Sequence, residues 1–179
     1  MTSMGQEILM LRTIACALTA ALVSFATPFA TAPAQAEAFN ITEADPVAVI
    51  TVPDDWEGKK VARGIQIKTP DDEIYMWVEL IPPNEIDAVQ KEHNSYFDGQ
   101  GVKIESAGET VQIEVNGRPW VISELKAKAK GEDSVIRYVA INPKVASGKL
   151  ILLTYWASLE GDKKYNDATT KMLENLGFK

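Results

Sequence analysis

The chain is short of the residues on which most enzyme and metal chemistry depends. Its one cysteine, Cys16, cannot form an internal disulfide, and its one histidine, His93, cannot build a multi-histidine metal site. Basic residues are outnumbered, 18 against 25 acids, for a formal charge of -7 over 179 residues, and there is no Lys/Arg run. Such a chain makes a poor phosphate-backbone binder, so no nucleic-acid partner is expected. Glycine-rich phosphate loops are missing, because the Gly99-Gln100-Gly101 pair closes a helical pattern instead of opening one. Serines are few, none lies in Gly-x-Ser-x-Gly, and the single histidine would have to serve any triad. The expectation is no catalytic residue, no metal and no cofactor.

Charge is also absent from Thr13 to Ala36, and this absence is informative. The centre of that stretch, from Ile14 to Ala26, is an apolar run of secretory-signal length, with Arg12 before it and the small-x-small box Ala34-Gln35-Ala36 after it. Cleavage is expected before Glu37, leaving no membrane span. The run is short of the roughly 20 apolar residues a span needs, and no basic cluster follows it. Met10-Leu11-Arg12 gives a cleaner signal start than Met1 or Met4, because Glu7 then drops out. Cys16 fits a lipoprotein box poorly, since the apolar run continues beyond it. Residues 1–36 are thus read as a signal peptide and 37–179 as one domain, periplasmic or secreted, in a bacterial cell. The mature part keeps 24 acids and 17 bases once Glu7 and Arg12 are set aside.

Hydrophobic patterning in that part alternates between strand and helix periods. Residues 47–52 form a β-branched run stopped by Pro53-Asp54-Asp55. Residues 64–69 alternate cleanly, Pro70-Asp71-Asp72 makes a tight turn, and 74–81 return as a strand apolar on nearly both faces. Asn84 is placed to cap a helix over about 84–98, whose stripe is Ile86, Val89, His93, Tyr96 and Phe97. Strands at 102–105 and 111–115 follow, then Asn116-Gly117, a two-residue type I′ hairpin signal. The return strand from Trp120, a turn at 130–133 and strands at 134–141 and 150–157 complete a meander. Asp162 is placed to cap a closing helix with Tyr165, Ala168, Met172 and Leu176 inward, ended by Gly177 in the left-handed conformation. The expected fold is α+β: an antiparallel sheet of about six or seven strands with two main helices.

The segment Ile50-Thr51-Val52-Pro53-Asp54-Asp55-Trp56, a strand ending in Pro-x-x-Trp, resembles the Mog1/PsbP-like superfamily. The hairpin at Pro70-Asp71-Asp72, the helix near 84–98 and the helix near 162–176 follow in the order that family shows, over nearly all of residues 45–178. The resemblance implies an antiparallel sheet between helices. Its known roles are mostly non-enzymatic: Ran binding in a nuclear protein, an accessory role at the photosynthetic oxygen-evolving complex, and many uncharacterised bacterial envelope proteins. No Ran- or photosystem-binding residue matches a position here, so the fold carries over and the function does not.

Two function classes remain. The first is a non-catalytic accessory or protein-binding module whose partner is another envelope protein. The second is a small hydrolase or lyase of the envelope using paired carboxylates, which predicts two facing acids with a raised pKa. His93, on an apolar helical stripe, reads as a packing residue. Of four tryptophans, Trp77 and Trp156 lie inside apolar strands and read as core, whereas Trp56 and Trp120 border turns and either line a ligand cleft or pack in the core, packing being the commoner use of an indole. The acidic turns 54–55 and 71–73 lack the alternation of a calcium loop. The expected working surface is Trp56 with Asp71 and Asp72, an aromatic beside carboxylates on exposed turns.

Overall fold

The computed structural model describes residues 36–42 and 46–179; the expected signal region, apart from Ala36, lies outside the described residues. Among the described residues ten strands and two α-helices follow in chain order. Strands β1 (Glu37–Asn40), β2 (Ala48–Val52), β3 (Glu57–Val61), β4 (Gly64–Lys68) and β5 (Ile74–Ile81) precede helix α1 (Ile86–Gly99). Then come β6 (Val102–Val115), β7 (Arg118–Ala129), β8 (Glu132–Ile141), β9 (Leu150–Ser158), α2 (Leu159–Glu174) and β10 (Gly177–Phe178).

Seven strands form one antiparallel sheet in the order β3-β4-β5-β9-β8-β7-β6, and β1-β2-β10 form a small second sheet. The burial of β5 and β9 explains their sequences. They lie mid-sheet and are covered on both faces, so alternation gives way to near-continuous apolar runs. Their odd and even residues part to opposite sides. Trp77, Ile81 and Leu152 pack with Val89 and Phe97 of α1. Met76, Val78 and Leu153 pack with Met172 and Leu176 of the C-terminal region and with Ile50 and Val52 of the small sheet. Burial of a side chain such as Phe97 contributes about 1.5–3 kcal/mol.

The turns carry their expected chemistry. Asn116 (φ 52°) and Gly117 (φ 73°) both have positive φ between Val115 and Arg118, which is the type I′ pattern. Lys130 and Gly131 repeat it between β7 and β8, so that turn is two residues long and Glu132 already belongs to the strand. Pro70 occupies the second position of a turn closed by the Asp72 N–H donating to the Thr69 carbonyl at 3.0 Å.

Four local expectations are corrected. Asn84 does not cap α1, because it sits inside a 3-10 turn over Pro83–Glu85 and the helix begins after Glu85. Asp162 does not cap α2; the Ser158 hydroxyl accepts from the Gly161 N–H at 2.8 Å, and Asp162 lies within the first turn. Gly177 is not a left-handed terminator but pairs with Val49 as part of β10. The two strands expected at 102–115 are one, with irregular register between Ile104 and Ser106 and between Ala107 and Thr110.

Candidate functional site

The α1 face of the sheet ends in a cleft of about 460 Å³. Register builds its floor. Tyr75 of β5 faces Trp156 of β9, with ring centroids 6.3 Å apart, and Trp156 in turn faces Ile136 of β8. The last turn of α1 supplies Tyr96, 40% exposed, and Phe97, which is buried and stands edge-on to Tyr96. The rim is acidic. Asp72 and Glu73 come from the turn before β5, and Glu132 and Asp133 from the start of β8, against one ammonium, Lys130. Asp72 lies 3.3 Å from Lys68, and Glu73 accepts from the Ser158 hydroxyl.

Two polar groups of this cleft have no hydrogen-bond partner. Ser134, only 4% exposed, has an unpaired hydroxyl, and the Trp156 indole N–H is unpaired as well. A buried polar group without a partner costs about 1–3 kcal/mol. Each such group calls for a partner, an ordered water or a bound group.

The sequence-expected site residues are divided by the sheet. Trp56 is not an exposed rim aromatic. It is 6% exposed, lies in the core on the α2 face and meets Tyr165 edge-on at 5.4 Å. Its burial follows from the turn at 53–55, which folds the chain back so that the indole closes the end of the core. Asp71 is tied to α2, accepting from Lys164 Nζ and from the Tyr165 hydroxyl, both at 2.7 Å. The Lys164 ammonium holds the Asp71 carboxyl well below the usual carboxylate range. Asp72 alone reaches the cleft. Of the two readings open for Trp120 the structure shows packing, at 5% exposure, whereas Trp156, expected in the core, lines the cleft. The sequence signal for Trp156 was its parity with Tyr75 and Trp77 on one sheet face, which becomes readable once the β5–β9 register is known.

No protein-family model matches the chain, and no curated protein matches it by sequence. Among solved structures it is similar to cyanobacterial PsbP (CyanoP) from Synechocystis sp. PCC 6803, at 11% identity and a TM-score of 0.53, covering 87% of this chain and 99% of that one. The fold is PsbP-like. A second similar structure is PA94 of Pseudomonas aeruginosa, a protein of unknown function, at 12% identity and a TM-score of 0.38, covering 74% of this chain and 92% of that one.

The PsbP-like sheet carries a second polar cluster beside the cleft, with Tyr96 lining both. His93 is 4% exposed and stacks on Trp77 at 4.8 Å. Its Nδ1 shares a hydrogen bond of 2.9 Å with the Thr154 hydroxyl, and its Nε2 lies 3.2 Å from Glu79 Oε2, which takes no hydrogen bond there. Arg63 Nε donates to the other Glu79 oxygen at 3.1 Å and Arg63 bridges on to Glu92. This arrangement neutralises a buried carboxylate and locks α1 onto β5. Thr154 is fully buried, so its hydroxyl is out of reach of a substrate.

The carboxylates with displaced acidity all move downward. Asp71 is held low by Lys164, and Glu92 by Arg63. At Asp162 burial pushes upward, and the Arg137 and Tyr155 bonds outweigh it. That direction is opposite to the one a general acid needs. Among the described residues no group of three or more metal-ligating side chains comes together, and no helix is long and apolar enough to cross a membrane.

Proposed function

We propose that the chain is an exported, non-catalytic accessory module of the bacterial envelope that binds another envelope protein through the acidic, aromatic cleft at the end of its sheet. The observation that supports this reading is the cleft itself. Two β-strands and one helix hold aromatic faces and carboxylates around an open volume of about 460 Å³. Aromatic residues supply burial and charge supplies orientation, the combination expected at a binding surface. Export is supported by the order of Arg12, the apolar run and the Ala34-Gln35-Ala36 box. A cut before Glu37 falls at the first residue of β1, so it leaves every described strand whole.

Site-specific photocrosslinking in the native envelope tests the reading. A photoreactive residue at Gln100, on the cleft rim, should give one discrete adduct with an envelope protein. The same group at Asn166, on α2, should give none. Filling the cleft by Ala129→Trp should abolish the adduct while leaving the melting transition in place. An adduct from Asn166 alone would move the working surface to the other face of the sheet. Enzymatic turnover by the purified mature chain would overturn the non-catalytic part.

A further inference from the structure

Resting on the cleft reading above, we infer that the group the cleft accepts is the guanidinium of an arginine carried on an extended segment of the partner protein. Three independent features of the site converge on that chemistry.

The first is charge. Four carboxylates and one ammonium line the cleft, so its field favours a cation. Glu132 and Asp133 are exposed. Asp133 lies 3.9 Å from Lys128 Nζ, a distance beyond a hydrogen bond, so its acceptor capacity is not consumed there.

The second is ring geometry. The rings of Tyr75, Tyr96 and Trp156 line the cleft together with those carboxylates. A cation over a ring face gains about 0.5–1 kcal/mol at an exposed site and more when water is excluded. A planar guanidinium stacks on such faces while donating at its edge to carboxylates, which an ammonium cannot do in the same way.

The third is the unpaired hydroxyl of Ser134. This residue is more than nine-tenths buried on the strand face that lines the cleft, and its oxygen has no partner. As a hydroxyl it can accept from an entering N–H or donate to an entering carbonyl. The unpaired Trp156 indole N–H can only donate, so it needs an acceptor. A free guanidinium has donors alone, whereas an arginine within a peptide brings a main-chain carbonyl with it. The unmet indole N–H therefore favours a peptide over a small cation.

Titration of the purified mature chain with short peptides, read by tryptophan fluorescence and calorimetry, tests the proposal. The peptides are of one Gly/Ser sequence with a central arginine, lysine or citrulline. The arginine peptide should bind about tenfold more tightly than the citrulline peptide, as expected for loss of the cation at an aromatic and carboxylate site. Its affinity should fall with salt. Free guanidinium chloride at matched ionic strength should bind at least tenfold more weakly than the peptide. Glu132→Gln with Asp133→Asn, both exposed, should weaken the arginine peptide several-fold without moving the melting temperature. Ser134→Ala should weaken it further.

Equal binding of the arginine and citrulline peptides would overturn the proposal, as would equal binding of free guanidinium. An arginine peptide that fails to bind while the Gln100 crosslink forms in the envelope would retain the cleft as a binding site and reject arginine as its occupant. Failure of that crosslink would instead reject the cleft reading itself.

Discussion

Asp162 offers a sharp test of how this fold is held together, because two roles for it predict different outcomes. As a helix cap, it would tolerate replacement by asparagine, an equally good cap. In the structure it is an ion-pair partner: its two oxygens accept from Arg137 Nη1 at 2.5 Å and Nη2 at 2.9 Å, and one also accepts from the Tyr155 hydroxyl at 2.8 Å. Arg137 stands on β8 and bonds Glu124 of β7 at 2.8 Å as well, and Tyr155 stands on β9, so the cluster clips α2 to three strands. The Arg137 and Asp162 side chains are 31% and 24% exposed. Breaking a fully buried pair costs about 3–5 kcal/mol and an exposed one at most about 1, so partial solvation sets the expected loss for Asp162→Ala at about 1–3 kcal/mol. Asp162→Asn keeps the acceptor for Tyr155 and loses the charge, for about 1–2 kcal/mol on the same reasoning. Ser158→Ala, which removes the actual cap, should cost about 1 kcal/mol. Urea melts at pH 7 give each value, and a cycle with Arg137→Met isolates the coupling. The Asp162 pKa is held below its ordinary value, so its contribution is present above the usual carboxylate range and is lost as the pH falls through the lowered value. The gap between wild type and Asp162→Ala should therefore close in acid. An Asp162→Asn midpoint equal to wild type, with no coupling to Arg137, would refute the clip.

Three further outcomes follow from single contacts. Gly64→Ala should destabilise by about 1–3 kcal/mol or prevent folding, because a Cβ there would stand 2.0 Å from the Val78 carbonyl oxygen, main chain that cannot rotate away; an unchanged thermal midpoint would contradict the close approach. Gly117→Val should cost about 1–3 kcal/mol, since a β-branched residue tolerates the φ of 73° badly, and denaturant melting measures it. Lys164→Ala should raise the Asp71 pKa toward its ordinary range, so that in acid Asp71 protonates earlier than in wild type; carboxyl NMR titration reads the shift, and an unmoved Asp71 would show that Lys164 is not its main partner.

The strands at 48–52, 64–68, 74–81 and 150–158 and both helices were legible because each carries its own period, and the Asn116-Gly117 turn because its chemistry is local. β3, with the sequence Glu57-Gly-Lys-Lys-Val61, was not legible: it is a polar edge strand, specified by pairing with β4 and not by burial. β1 and β10 were equally silent, since four- and two-residue strands gain their identity from β2. The caps failed for a related reason. Asn84 and Asp162 have cap chemistry, but a 3-10 turn displaces the first from the helix start, and Ser158 has already filled the second position. The cleft depends on cross-strand register, which brings Tyr75, Trp156 and Ser134 to one face from three strands, and no window of sequence contains that relation. Only Asp72 was found beforehand, through its turn. Trp56 misled because a tryptophan after a turn is as able to plug a core as to face solvent.

The four tryptophans themselves allow the most direct test of where the protein works. Trp77 and Trp156 belong to the α1 face, and Trp56 and Trp120 to the α2 face. In an ¹⁵N-labelled mature chain the four indole N–H signals can be followed while the arginine peptide is added. An arginine peptide seated in the cleft should shift the Trp156 signal, its main-chain carbonyl giving the unpaired indole N–H an acceptor, and leave the Trp120 signal in place. A Trp120 shift without a Trp156 shift, or four unmoved indole signals at saturating peptide, would contradict the cleft as the binding surface.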